Sequence, residues 1–133
     1  MATTTPTTRI TEVATILVPV TDQDRALEFY VDKLGFEKRM DYRSGDTRWV
    51  EVAPSAAAKT TIALGPGGET IQPGIDTGLR LSTDDAVADH ASLKAAGVKV
   101  DELLNWGGGV PPMFYVTDPD GNRFVIVEQP PRS

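Results

Sequence analysis

Two charged residues stand inside runs that otherwise read as strands. Glu51 lies in Arg48–Ala53, and Arg80 lies in Gly78–Ser82. A carboxylate or guanidinium withdrawn from water must pair or meet a ligand, because an isolated buried charge is strongly disfavoured. Arg80 suits a polar or carboxylate group, its planar fork giving charge-assisted hydrogen bonds. The plainer account is a structural salt bridge or a solvated rim pair between the two. Trp49, Trp106 and Phe114 are aromatic walls for a planar ligand. For Trp49 and Phe114 core or dimer packing serves equally well, and Trp106, set in a Gly-rich loop, reads as a lid. Glu51, Tyr42 and Tyr115 are the groups able to act as acid or base. His90 is the single histidine. It falls in a helix expected on the outer sheet face, so it reads as structural.

Other motifs carry less chemistry. Gly65-Pro66-Gly67-Gly68 and Gly107-Gly108-Gly109 lack the strand–G-x-G-x-x-G–helix grammar of phosphate loops, and Pro73 and Pro111-Pro112 block a following helix. Asp118-Pro119-Asp120-Gly121 resembles a fragment of a calcium loop but lacks the spaced third acid and the closing Glu. It reads as a turn, with Pro at the first central position and Gly where φ is positive.

Composition narrows the classes. The chain has 133 residues, 40% hydrophobic and 24% charged, which suits one globular domain or two small modules sharing a fold. The formal charge of −6 argues against nucleic acid or an anionic membrane as partner. With no cysteine and one histidine, disulfide scaffolds, thiol nucleophiles and sites needing two histidines from one chain are excluded. No apolar stretch has the length of a membrane span, and Met1–Thr8 lacks a signal-like pattern, which predicts a cytoplasmic protein.

The elements repeat. Met1–Thr8 reads as a frayed tail and Val13–Val20 as a strand. Asp22 caps a helix with apolar Ala26, Leu27, Tyr30, Val31 and Leu34 and a stop at Gly35. Phe36–Arg43, Arg48–Ala53 and Lys59–Leu64 read as a three-stranded meander. Gly65–Gly74 is a Gly/Pro-rich linker. The pattern then restarts: a strand at Gly78–Ser82, a helix from Asp84 or Asp85 to Ala96 stopped by Gly97, a weak strand at Val98–Leu103, and strands at Pro112–Thr117 and Asn122–Glu128. The expected organisation is a tail at 1–10, modules at 11–64 and 77–128 joined by a linker at 65–76, and a second tail at 129–133.

Period-two alternation assigns the strand faces. Ile16 and Val18, Val50 and Val52, Ile62 and Leu64, and Leu79 and Leu81 form aliphatic faces that suit packing under helices. The opposite, mixed face carries Thr15, Leu17, Trp49, Glu51, Ala63, Gly78 and Arg80. Pairing across the Asp118–Gly121 turn sets Phe114 opposite Val125 and adds both to the mixed face. Such a face suits a lined cleft or an interface.

These residues carry a resemblance. Val18-Pro19-Val20-Thr21-Asp22 through Ala26-Leu27-Glu28-Phe29-Tyr30, then Lys33-Leu34-Gly35-Phe36, resembles the first helix signature of the vicinal oxygen chelate superfamily of glyoxalases, bleomycin-resistance proteins and extradiol dioxygenases. Ser82-Thr83-Asp84-Asp85, Leu93-Lys94-Ala95-Ala96-Gly97-Val98 and Phe114 through Asn122 agree with its second module. The resemblance spans about Val13 to Glu128. It implies an α+β fold: two βαβββ modules forming a cupped mixed sheet with helices on the outer face, completed in a homodimer. Metal-dependent relatives hold their ion on four strands. The matching positions here are Thr15, Ala63, Gly78 (to within a residue) and Val125, a set that cannot hold a divalent ion. The expectation is therefore a protein without metal or other cofactor.

Three functions follow. The first is a metal-free, bleomycin-resistance-like protein binding a small aromatic or amphipathic molecule through Thr15, Leu17, Trp49, Glu51, Ala63, Arg80, Trp106, Phe114 and Val125. The second is a metal-independent lyase, isomerase or cyclase using a cleft Glu or Tyr. The third is an interaction module whose concave face holds no ligand.

Overall fold

The computed structural model describes residues 5–68 and 71–129. Parts of the expected tails, at 1–4 and 130–133, and residues 69–70 of the expected linker lie outside the described residues. Among the described residues, eight strands form two four-stranded mixed sheets, one for each module. The first contains β1 (Thr15–Val20), β2 (Glu37–Ser44), β3 (Thr47–Ala53) and β4 (Thr61–Pro66), in the order β1-β4-β3-β2. The second contains β5 (Asp76–Thr83), β6 (Lys99–Val100), β7 (Met113–Thr117) and β8 (Arg123–Glu128), in the order β5-β8-β7-β6. In each, the opening strand runs parallel to the last of an antiparallel set of three. This is strand–helix–three strands twice over, an α+β fold of two βαβββ modules.

Both helices start where a carboxylate can cap them. Asp22 accepts from the Arg25 amide at 3.1 Å and Asp85 from the Ala88 amide at 3.0 Å, each cap contributing about 1 kcal/mol. The first helix, α1 (Gln23–Leu27), then widens into a π-helical turn over Glu28–Lys33, which the sequence did not signal. The wide turn carries Phe29 and Tyr30, both buried, side by side into the core. Tyr30 meets Phe29 edge-on at 5.0 Å and stacks on Phe124 of the second module at 6.1 Å. The second helix, α2 (Ala86–Ala95), buries Ala86 alone. The expected strand over Val98–Leu103 shrinks to the two residues of β6, and Leu104 adds an isolated bridge to Met113.

The aliphatic faces pack as the alternation predicts, with one exception in the last hairpin. Val18, Val50, Val52, Ile62, Leu64, Leu79, Phe114, Val116, Phe124 and Ile126 join Phe29, Tyr30 and Phe36 in one core shared by both modules. Gly78, at φ 73°, sits in a bulge between Asp76 and Arg80 that an L side chain would strain.

The Asp118–Gly121 segment does more than turn the chain. Tyr30 of the first module donates to Asp118 Oδ2 at 2.8 Å, and Asn122 Nδ2 donates to the Pro19 carbonyl at 2.7 Å. Asn122 Oδ1 accepts from the amides of Gly74 and Ile75, at 2.9 and 3.2 Å. Asp120 Oδ1 accepts from the Thr21 amide and hydroxyl, and Arg25 donates to the Pro119 carbonyl. The turn is thus a clasp that fixes one module against the other. Burial, then the nearby Asp118 carboxylate, pushes the Tyr30 hydroxyl far above its ordinary pKa, so it stays a neutral donor.

Asn122 also corrects one face assignment. The loop consumes it, so Thr117 pairs with Arg123 and the hairpin register moves by one residue. Phe114 lies opposite Ile126 and is fully buried in the core, while Tyr115 lies opposite Val125 on the mixed face. Phe114 therefore leaves the candidate cleft.

Candidate functional site

The mixed faces of both sheets are turned away from the core. On the first sheet, Leu17 of β1 pairs in register with Ala63 of β4, Ala63 with Glu51 of β3, and Trp49 with Tyr42 of β2. Leu17, Trp49, Met40 and Tyr42 stay exposed on this face, at 37%, 39%, 46% and 62%. Monomers rarely leave contiguous apolar side chains in water without a use for them.

A polar thread runs through the apolar face. Thr15 and Thr61 share a hydroxyl hydrogen bond of 2.9 Å, Thr61 donates to Glu51 Oε1 at 2.6 Å, and Trp49 Nε1 donates to Glu51 Oε2 at 2.5 Å. Each carboxylate oxygen thus holds one neutral donor, and the indole is oriented by its own neighbour. Glu51 and Arg80 form no ion pair. The ion pairs among the described residues use Lys38, Arg39, Arg48 and Arg123 instead. Thr61, absent from the sequence-derived site, was legible through its alternation with Ile62.

At the end of this face a cavity of about 420 Å³ opens between Leu17, Gln23, Asp46, Arg48, Trp49 and Gly65. Its rim is held by Arg48, which bonds Asp41 of β2 at 2.8 Å and Asp24 of α1 at 2.8 Å, while Gln23 donates to the Arg48 and Leu64 carbonyls. The Arg48 hydrogen bonds hold the Asp41 carboxyl at about 2. Because that pKa is depressed, the link is intact above the ordinary carboxylate range and is lost as pH falls toward 2.

The second sheet presents Arg80 and Val125, paired in register, with Tyr115 on the far side of Val125. Arg123 covers the Tyr115 ring at 4.3 Å and pairs with Asp101 at 2.8 Å, both missed by sequence reasoning because the shifted register hid them. Arg80 lines a separate cavity of about 420 Å³ where the two sheets meet, with Ile16, Pro54, Thr60, Ile62 and Leu79. Trp106 is 67% exposed on its Gly-rich loop and lines neither cavity. His90 sits under none of this: its Nε2 lies 2.8 Å from the Asp101 carbonyl and its ring meets Phe114 edge-on.

One chain therefore brings Thr15, Leu17, Trp49, Glu51 and Ala63 together and leaves Arg80 and Val125 on the second sheet. The sequence-derived single cleft is divided. At the four positions that the resemblance matched to metal ligands, Thr15 offers a hydroxyl already bonded to Thr61, and Ala63, Gly78 and Val125 offer no ligand atom. Among the described residues no three His, Cys, Asp or Glu side chains gather as a metal site. Such a donor set does not fit a divalent ion. Nor is any described helix long and apolar enough to cross a membrane.

The fold and its open-faced modules define a class. The family model of the Glyoxalase/Bleomycin resistance protein/Dioxygenase superfamily matches residues 12–126, and the chain belongs to that superfamily. It is similar to TnmS3, an antibiotic binding protein from Streptomyces sp. CB03234, at 36% identity and a TM-score of 0.82, over 93% of this chain and 100% of that one. A glyoxalase/bleomycin resistance protein from the same Streptomyces is 37% identical, with a TM-score of 0.75 over 87% and 99% of the two chains. The uncharacterised protein YetH of Bacillus subtilis (strain 168) is 28% identical over 90% of this chain and 99% of its own length.

Proposed function

We propose that the protein binds a small aromatic or amphipathic molecule on the open face of its first sheet, without a metal ion. The observation that carries this reading is Trp49: half in water, oriented by Glu51, and at the mouth of the cavity beside Leu17. A core tryptophan would be covered, and a chance surface one would not be tethered. The likeness to an antibiotic-binding protein supports the same reading. Thermal shift against a library of metabolites and antibiotics tests it. A true ligand at a hundredfold its Kd stabilises the fold by about 2.7 kcal/mol through mass action. The expected result is a hit whose shift survives a chelator and disappears in Trp49→Ala, which itself folds. A library without hits, a hit indifferent to Trp49→Ala, or a shift abolished by chelation would overturn the reading.

The same proposal makes the protein a homodimer. Each chain exposes Leu17, Met40, Tyr42 and Trp49 on its first sheet and, apart from them, Arg80 on its second. A second copy related by a two-fold axis would set the first-sheet face opposite the partner's second sheet and leave the ligand's space between them, and two-fold closure is the commonest solution for soluble homo-oligomers. Sedimentation at micromolar concentration should give the mass of two chains. The mass of one chain defeats the dimer.

A further inference from the structure

Resting on that reading of the dimer, we propose that Glu51 of each chain pairs with Arg80 of the partner subunit, so that the first-sheet site is complete only when a second copy is docked on it. Each group lacks an ionic partner within its own chain. Glu51 is half-buried, and its side-chain bonds come from the Thr61 hydroxyl and the Trp49 indole, both neutral. Each of its oxygens therefore keeps a further acceptor site. Arg80 stands exposed on β5, and its guanidinium takes part in none of the ion pairs among the described residues.

Neighbouring charges leave both groups free for such a contact. Arg48, which lines the first-sheet cavity, is spent: its Nε and Nη2 bond Asp41 and its Nη1 bonds Asp24. Those two acids offset its charge, and Asp46 at the same cavity adds a negative one. On the second sheet Arg123 is paired with Asp101 and covers Tyr115. The cavity that Arg80 lines carries Lys59 as well and no carboxylate. One face is thus negative around Glu51 and the other positive around Arg80. Complementary faces of this kind fix which surfaces meet, since like charges set against each other are disfavoured.

A two-fold axis turns this complementarity into a register. In an isologous contact, where Glu51 meets the partner's Arg80, Arg80 meets the partner's Glu51, and two ion pairs form at once. The guanidinium fork suits the acceptor sites left on Glu51. An acid and a base covered together with their bonds made are tolerated, whereas either covered alone is strongly disfavoured. Stacking two first sheets would bring Glu51 toward its own copy, so charge selects the second sheet as the opposing face. The pair also reaches the aromatic wall, because Glu51 Oε2 accepts from Trp49 Nε1. A carboxylate held from the partner's side holds the indole in turn.

Charge reversal tests this with two single variants, Glu51→Arg and Arg80→Glu, weighed by sedimentation equilibrium, with circular dichroism to show that each is folded. Each variant alone sets like charges together twice. It should weaken the dimer about a hundredfold or more, giving monomer at micromolar concentrations where the unaltered chain is dimeric. An equimolar mixture of the two should regain the dimer mass. The arginines at positions 51 and 80 of one chain then face the glutamates at positions 80 and 51 of the other. Mixing can rescue only a contact between chains, so a role inside one chain would not move this readout. Glu51→Lys stands in where Glu51→Arg does not fold. Single variants that stay dimeric, or a mixture that stays monomeric, overturn the pairing and leave the dimer to other contacts. A monomeric unaltered chain overturns the pairing and the homodimer together.

Discussion

Replacing Asn122 by alanine should cost about 3 kcal/mol or more of unfolding free energy, since each buried polar partner left unmet costs roughly 1–3 kcal/mol. Three groups lose their partner at once: the Pro19 carbonyl and the amides of Gly74 and Ile75. The Pro19 carbonyl belongs to a fully buried residue. Asp118 also loses one of its two internal donors at Oδ2, keeping that of Tyr30. Denaturant unfolding should show a lower midpoint with an unchanged slope, the signature of lost stability rather than a changed unfolded state. Asp120→Ala is the control. Its carboxylate reaches Thr21 at the surface, so its removal should cost about 1 kcal/mol or less. If Asn122→Ala costs no more than the control, the clasp does not hold the modules together.

Phe114→Ala should destabilise by roughly 3–5 kcal/mol, the range for truncating a buried phenylalanine. Phe114 is wholly buried in the shared core, with the His90 ring edge-on to it. The adjacent Tyr115→Ala should cost markedly less, because that ring is half-exposed and covered by an Arg123 side chain that water can replace. The contrast between neighbours reports the register directly. Similar losses at both positions, or a larger one at Tyr115, would mean the hairpin pairs as the bare turn suggests rather than with Asn122 in the loop. Chemical denaturation of both variants decides it.

Local chemistry was legible from the residues. Asp22 and Asp85 had capping oxygens, Gly35 and Gly97 ended the helices, and alternation set Trp49, Glu51 and Ala63 on one side with Val50 and Val52 on the other. These depend on contacts within a few positions of the chain. The repeat of strand–helix–three strands carried the α+β architecture for the same reason, since each module is assembled from neighbours in sequence.

What the sequence did not contain is where distant groups meet. Asn122 reads as one more turn residue until Pro19, Gly74 and Ile75 arrive around it, and only then does the loop absorb it and move Phe114 into the core. Glu51 and Arg80 alternate alike on their strands, but the two modules pack through Tyr30 and Phe124 in a way that leaves the charges on separate sheets. Strand periodicity determines which side of a sheet a residue takes. The angle and offset between sheets come from long-range packing, which no local pattern encodes, and that packing decided which candidate residues share a surface.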